Sequence, residues 1–127
     1  HVDARVKKQR PDLVAKVIKR DYALGSHVAP LGLWFYTGQS LPAKYHGGAF
    51  VSNHGSWDRS PLNGYDVVYI PFVNGKPTGK PEPIVTGFYS DDESKLYGAP
   101  VGITQDTNGA LIIADDVGNT VWRVSTK

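Results

Sequence analysis

The sequence predicts an all-β protein made of repeated antiparallel sheets, and three observations support this fold class. The first is that three short apolar segments occur twice in the same order. The two copies read Pro-Leu-Gly-Leu (30–33), Gly-Ala-Phe-Val (48–51) and Val-Val-Tyr-Ile (67–70), then Pro-Val-Gly-Ile (100–103), Gly-Ala-Leu-Ile (109–112) and Val-Trp-Arg-Val (121–124). The second is a composition rich in turn and aromatic residues, with 14 Gly, 9 Pro and 11% Phe, Trp and Tyr. The third is that these apolar runs are too short for globular helices.

Repetition of a multi-strand unit is typical of a β-propeller, in which each unit, or blade, buries its faces against neighbouring blades. The sequence therefore predicts about two four-stranded antiparallel β-propeller blades. Because two blades are too few to close a ring, we expect the chain to be a fragment of one larger propeller domain. The predicted divisions are a basic N-terminal arm with the outer strand of a preceding blade over residues 1–26, a first blade over 27–90, and a second, incomplete blade over 91–127.

The strands of the first blade are each bounded by Gly, Pro, Asn or Asp. We predict strands over residues 31–37, 48–53, 65–72 and 83–88, the first of them buried because it is an uninterrupted apolar and aromatic run. Upstream, a loose apolar alternation predicts a short strand or sheet edge over residues 13–18.

The second blade is predicted to contain strands over residues 101–105, 110–114 and 120–125 and to lack its outer strand. A last blade without that strand fits propeller closure, in which an N-terminal segment supplies the missing edge. The first copy of the repeat has longer connections, chiefly over residues 54–64. Extra loop length in one copy of a repeat is where a binding face is usually built.

Composition excludes several functional classes. The sequence has no Cys, which excludes disulfides, thiolate metal sites and thiol nucleophiles. It has no Met, so we expect the chain to have been processed or cut from a longer one, and no apolar run long enough to predict a transmembrane segment. The net charge of +2 is concentrated in residues 1–21, but the basic side chains there are dispersed and lack aromatic neighbours, so we expect no nucleic-acid partner.

The connection over residues 54–59 carries side chains suited to a planar polyanion. His54 can donate or accept a hydrogen bond, Trp57 offers a stacking face, and Arg59 can hold a carboxylate through two parallel hydrogen bonds. An equally strong alternative is structural: an ion pair between Asp58 and Arg59 that closes the loop, and a Trp that fills a gap between blades.

Two further groups of polar residues have alternative interpretations. His27 lies just before the innermost strand of the first blade and would face the central channel, or it serves as a hydrogen-bonded structural residue. Asp115 and Asp116 precede Val-Gly-Asn, but their spacing does not match an EF-hand. We therefore expect these carboxylates to cap the backbone of a turn.

Four longer motifs follow one another along the chain. They are His-Val-Ala-Pro-Leu-Gly-Leu-Trp-Phe-Tyr-Thr-Gly (27–38), Gly-Gly-Ala-Phe-Val-Ser-Asn-His-Gly-Ser-Trp-Asp-Arg (47–59), Gly-Tyr-Asp-Val-Val-Tyr-Ile-Pro-Phe (64–72) and Ala-Asp-Asp-Val-Gly-Asn-Thr-Val-Trp-Arg-Val (114–124). Together they resemble the C-terminal part of the sorbosone and glucose dehydrogenase family, soluble sugar dehydrogenases that use pyrroloquinoline quinone (PQQ). The resemblance covers residues 13–125 and implies a six-bladed β-propeller. It also implies oxidation of an aldose or sorbosone-type sugar by hydride transfer to the quinone, and a periplasmic or secreted location.

The resemblance further implies the cofactors and their contacts. PQQ would lie over the central channel, with Ca²⁺ bridging it to backbone carbonyl groups, and His27, His54, Trp57 and Arg59 would contact the quinone. The general base and the Ca²⁺ ligands are expected upstream, so no catalytic residue and no metal ligand is assigned within the chain, and whether it is an enzyme by itself stays open. The implied partners are a sugar substrate, an external electron acceptor and the remaining propeller blades.

One departure from the family pattern keeps other hypotheses open. Ala99 stands where relatives often place an Arg that faces the quinone, so Arg59 or another blade would have to hold the cofactor, or the protein would bind it poorly. A second hypothesis is therefore a non-catalytic β-propeller that serves as a binding or scaffold module. A third is self-association of the chain into a ring, because exposed faces between blades favour association.

Overall fold

Two antiparallel sheets contain most of the strands in the computed structural model, which describes residues 10–56 and 59–126. The strands are β1 (Pro30–Phe35), β2 (Ala49–Asn53), β3 (Asp66–Ile70), β4 (Phe72–Val73), β5 (Lys76–Pro77), β6 (Glu82–Val85), β7 (Pro100–Gln105), β8 (Leu111–Asp115) and β9 (Thr120–Val124). The described residues also form one turn of α-helix, α1 (Pro11–Val14), and a 3₁₀ turn (Ala43–Tyr45). The predicted all-β class is confirmed.

The first sheet has the strand order β1-β2-β3-β6 and the second has the order β7-β8-β9. All neighbouring strands in both sheets are antiparallel, so the predicted pattern of four strands followed by three is confirmed. The small hairpin β4–β5 was not predicted from the sequence. Asn74 and Gly75 between its strands have φ angles of 50° and 75°, and an Asn-Gly pair is the usual signal for such a two-residue turn.

The strand predicted over residues 13–18 is wrong. Among the described residues before β1, the regular structure is α1, whose side chains are exposed. Pro11 has a φ suited to the first helical position, and Asp12 places a negative charge at the helix start, where it also pairs with Arg10 at 2.6 Å. Because no strand among the described residues lies beside residues 13–18, these local helix signals decide the structure of the segment. No helix among the described residues is long and apolar enough to cross a membrane.

Strand β1 lies where it was predicted, but only one of its faces is buried. Trp34 and, just after the strand, Tyr36 face the second sheet, and Tyr36 is 2% exposed. Leu31, Leu33 and Phe35 point the other way and are 58%, 58% and 51% exposed. An uninterrupted apolar run is typical of a strand covered on both faces, and the described chain covers one of them.

The main core lies between the two sheets. Its buried side chains are Tyr36, Leu41, Phe50, Val67, Tyr69, Leu111 and Ile113. Burial of each large apolar side chain contributes about 1.5–3 kcal/mol, so this layer is the main force that holds the sheets together. Two polar contacts select the docking register: Trp34 Nε1 donates to Gln105 Oε1 at 3.0 Å, and the Ser52 hydroxyl donates to the carbonyl oxygen of Val101.

The two copies of the repeat are equivalent in structure, with an offset of one residue in the middle strand. Leu33 pairs with Val51, and its counterpart Ile103 pairs with Ile113. Val51 therefore corresponds to Ile113, whereas the sequence motifs align it with Ile112. Because successive strand residues point to opposite faces, this offset decides which side chains of the two copies are buried in the same way.

Candidate functional site

The connections that precede β1 and follow β2 meet at one end of the first sheet. The N–H of His54 donates to the carbonyl oxygen of Ala29, and the N–H of Gly55 donates to that of Val28, both at 2.9 Å. These two bonds continue the pairing of β1 with β2 beyond the strand ends. The segment before β1 is therefore held against the long connection that the sequence analysis singled out as a binding face.

The backbone before β1 is strained. His27 and Ala29 have φ angles of 60° and 47°, in the left-handed region that costs non-glycine residues about 1–2 kcal/mol each. The strain is maintained by the hydrogen bonds on Val28 and Ala29 and by Asn63 Nδ2, which donates to the carbonyl oxygen of Ser26 at 2.8 Å. Strained residues that are held in this way are concentrated at functional sites.

Three of the four predicted quinone-contacting residues lie on these two connections. His27 and Arg59 are exposed, and His54 is half-buried. Arg59 Nη1 lies 3.4 Å from both the carbonyl oxygen and the hydroxyl oxygen of Ser26, which are long contacts for a guanidinium. The fourth residue, Trp57, lies outside the described residues. The structure thus brings together the segments that carry His27, His54 and Arg59.

His54 also contacts the second sheet. Its Nε2 lies 3.0 Å from Oδ1 and 3.3 Å from Oδ2 of Asp116. His54 directly follows β2 and Asp116 directly follows β8, and the last residues of both strands pair with the first proline of the preceding strand. The two side chains therefore occupy equivalent places in the repeat and meet across the sheets. This pairing was not predicted from the sequence, where Asp116 was assigned only to a turn.

Asp115 stabilises the turn that presents Asp116. Its carboxylate accepts hydrogen bonds from the N–H groups of Ala99 at 2.8 Å and Gly118 at 2.7 Å, and from Trp122 Nε1 at 3.0 Å. Burial by itself would raise the pKa of Asp115, but these hydrogen bonds outweigh it, and the pKa lies below its ordinary value. The predicted turn-capping role is confirmed for this residue.

Ala99 has no access to the candidate site. It is fully buried and packs with Tyr65 and Phe88 in a small apolar cluster. The position therefore presents no functional group where the family resemblance places an Arg. An anionic ligand at this end of the sheets would have to be held by other groups, of which Arg59 is the exposed cation on the 54–64 connection.

The donor set of the site favours hydrogen bonding over metal coordination. Within residues 10–56 and 59–126, no three His, Asp or Glu side chains are grouped so that they could hold a metal ion. Two imidazoles and a guanidinium suit the carboxylates or polar hydrogens of an organic ligand.

Comparison with known proteins identifies the family. The model of the TrAA12-like family matches residues 12–127. The chain belongs to the TrAA12-like family. A relative of this TrAA12-like chain is an uncharacterized protein from Borreliella burgdorferi, which is 37% identical over 110 residues that cover 86% of the chain and 29% of the relative.

Two solved structures resemble the TrAA12-like chain. The iodide structure of Trichoderma reesei Carbohydrate-Active Enzymes Family AA12 matches with a TM-score of 0.60 and 31% identity, over 76% of this chain and 24% of that one. The holo form of the pyranose dehydrogenase PQQ domain from Coprinopsis cinerea matches with a TM-score of 0.70 over 89% of this chain and 30% of that one. At 23% identity the second match shows the fold alone. The chain spans less than a third of each of these relatives.

These matches confirm the family resemblance in part. They place the chain in the TrAA12-like family and relate its fold to a PQQ domain of a pyranose dehydrogenase. They do not point to sorbosone or glucose dehydrogenases in particular. The matches show the family and the fold of this TrAA12-like protein, and its substrate and cofactor are proposed below.

Proposed function

We propose that this TrAA12-like chain forms part of a PQQ-dependent dehydrogenase that oxidises a sugar. The observation that carries the proposal is that the segments with His27, His54 and Arg59 are held together at one end of the first sheet in a member of this family. The Trichoderma reesei relative is described as a carbohydrate-active enzyme and the Coprinopsis cinerea structure as a PQQ domain, which supports a sugar substrate and a quinone cofactor.

In this proposal, the chain supplies groups that hold the quinone. The exposed guanidinium of Arg59, whose contacts with other described residues are the two long ones to Ser26, holds a carboxylate of PQQ through charge-assisted hydrogen bonds, and His27 lies on the adjacent segment. When bound, PQQ accepts the hydride that leaves the sugar. The family resemblance places the general base and the Ca²⁺ ligands upstream, so neither is assigned to the residues of this chain. An external electron acceptor takes the electrons from the reduced quinone, and the protein is periplasmic or secreted.

We also propose that the two sheets are adjacent blades of a six-bladed propeller. Leu33 and Phe35 lie on the exposed face of the first sheet, and their counterparts in the repeat are Ile103 and Gln105. Ile103 packs into the core between the sheets, and Gln105 accepts a hydrogen bond from Trp34 there. The exposed apolar face thus corresponds to a face that a neighbouring sheet buries. A further blade on the Leu33 side would bury it in the same way.

The direct test is a titration of the full-length protein with PQQ, with and without Ca²⁺, followed by calorimetry and by dye reduction with pyranoses, other aldoses and sorbosone. Arg59→Ala is expected to weaken PQQ binding roughly tenfold to a hundredfold, the equivalent of losing a hydrogen bond between charged groups. Arg123→Ala is the matched control, because Arg123 is exposed and pairs with Asp106 at the opposite end of the second sheet. Absence of both PQQ binding and sugar turnover would overturn the proposal.

The buried position of Ala99 favours one rival function, a propeller that binds or scaffolds without catalysis. In that case, substitution of His54 and Arg59 would leave ligand binding unchanged. A loss of PQQ affinity on Arg59→Ala, with Arg123→Ala unaffected, would rule against this rival.

A further inference from the structure

We infer that Asp116 is a positioning residue, which orients the ring of His54 and selects the ring nitrogen that His54 offers to a ligand. The ligand's identity rests on the proposed function, whereas the pairing itself does not. His54 Nε2 lies within hydrogen-bond distance of both carboxylate oxygens, at 3.0 Å and 3.3 Å. No other described residue is hydrogen-bonded to this imidazole ring.

The chemistry of the pair determines where the proton lies. An ionised carboxylate can only accept hydrogen bonds, so the facing Nε2 of His54 carries the proton. In a neutral imidazole protonated at Nε2, the other nitrogen, Nδ1, has the free lone pair. Asp116 therefore makes Nδ1 an acceptor for an O–H or N–H group of the ligand. In a quinone-dependent sugar dehydrogenase, either of two groups could donate to Nδ1: the ring N–H of PQQ or a hydroxyl of the sugar.

The His54 side chain is anchored from two sheets. Its backbone N–H is bound to Ala29 at the start of the first sheet, and its ring is bound to Asp116 of the second sheet. Asp116 is in turn presented by a turn whose amides are capped by the buried Asp115. The ring orientation therefore depends on correct docking of the two sheets as well as on the local loop.

A purely structural role for the pair is disfavoured by its exposure. The side chains of His54 and Asp116 are 32% and 60% exposed, and even a fully charged pair in such a setting contributes only about 0–1 kcal/mol to stability. Removal of Asp116 should therefore change the ring far more than it changes the fold. This difference separates a positioning residue from a stabilising one.

Nitrogen-15 NMR of histidine side chains in the full-length protein tests the positioning. His54→Gln identifies the His54 signals, which are expected to show one neutral tautomer with the proton on Nε2. Asp116→Ala is expected to give a mixture of both tautomers, whereas Asp91→Asn, an exposed carboxylate on another loop, leaves the signals unchanged. A wild-type His54 protonated at Nδ1, or an unaltered tautomer in Asp116→Ala, would overturn the inference.

A double-mutant cycle of Asp116→Ala and His54→Gln, measured on PQQ affinity, tests whether the pair matters for ligand binding. Asp116→Ala is expected to weaken PQQ binding about tenfold in the wild-type background and not at all in His54→Gln, because the carboxylate acts through the imidazole. If the sugar is the donor instead, Asp116→Ala raises the KM for sugar at saturating PQQ and leaves PQQ affinity unchanged. An equal loss with and without His54 would show that Asp116 acts directly and would overturn the inference. If the wild-type protein binds no PQQ, the proposed function fails, and the NMR result still decides the role of Asp116.

Discussion

The hydroxyl of Tyr36 donates a hydrogen bond to the carbonyl oxygen of Gly109 at 2.8 Å and accepts one from the N–H of Leu41 at 3.0 Å. Tyr36 directly follows β1 in the first sheet, and Gly109 lies in the turn between β7 and β8 in the second. One buried phenol thus links the two sheets at the end opposite to His54. It complements the apolar core, which holds the sheets together without fixing their register.

Replacement of Tyr36 by Phe should destabilise the fold. The buried carbonyl of Gly109 and the N–H of Leu41 would each lose this partner, and the expected fall in the free energy of unfolding is about 1–3 kcal/mol. Urea denaturation of the full-length protein measures it. Tyr45→Phe is the control, because its hydroxyl bonds to the exposed Glu82 and should matter little. Equal effects of the two changes would contradict this account of the Tyr36 hydroxyl.

Gly32 is expected to be essential for the close approach of the sheets. A Cβ at this position would overlap the Ser52 hydroxyl and the carbonyl oxygen of Val101, so Gly32→Ala should destabilise by about 1–3 kcal/mol. Gly102 holds the equivalent place in the second copy, where a Cβ would meet only Ala114 Cβ at 3.8 Å. Thermal melting of both variants of the 127-residue chain should show a large loss for Gly32→Ala and a small one for Gly102→Ala. Similar melting temperatures would show that the sheets are not this close.

The carboxylate of Asp115 should make stability depend on pH in the acid range. Its pKa in the folded protein is lowered, so its contribution is fully present above the ordinary Asp pKa of about 4 and is lost as the pH falls through the lower folded-state value. Asp115→Asn should remove this part of the acid dependence. It should also cost about 1–3 kcal/mol for each buried donor left without an acceptor. The free energy of unfolding of both proteins, measured between neutral pH and pH 2, tests this prediction. If it falls as steeply with decreasing pH in Asp115→Asn as in the wild type, the prediction is wrong.

The proposed blade on the exposed face of the first sheet predicts a cost for truncating Leu33. If that face is covered in the full-length protein, Leu33→Ala should destabilise by about 2–5 kcal/mol, as expected of a core leucine. Val73 is also 58% exposed but lies on the β4–β5 hairpin, so Val73→Ala is the matched control with a small expected effect. Chemical denaturation of the full-length protein distinguishes the two. Equally small effects would mean that no blade covers this face.

Local sequence signals were enough to predict the order and type of seven strands, because each apolar segment is short and lies between turn-forming residues. They failed where two signals competed. Over residues 13–18 the apolar alternation favoured a strand, but no neighbouring strand is present among the described residues, and Pro11 and Asp12 favoured a helical turn. In β1 the apolar run suggested burial on both faces, whereas Leu31 and Leu33 are more than half exposed.

The candidate site was predictable only in part. The unequal length of the repeat copies pointed to the connection that carries His54 and Arg59, and the structure holds this connection against the segment of His27. Asp116 could not be found in the same way. It lies 62 residues from His54 in sequence, and the motif alignment is one residue out of register in the middle strand. Exact strand pairing was needed to recognise the two positions as equivalent.

The amino-acid sequence by itself determined the all-β class, the repeat and the long connection, because strand length, alternation and turn residues act over a few neighbouring positions. The tertiary structure alone decided that His54 meets Asp116, that Ala99 is enclosed by apolar side chains, and that the described residues cover only one face of β1. Each of these depends on how two sheets pack against each other. Such packing is set by the shapes of many side chains together, and a local pattern does not encode it.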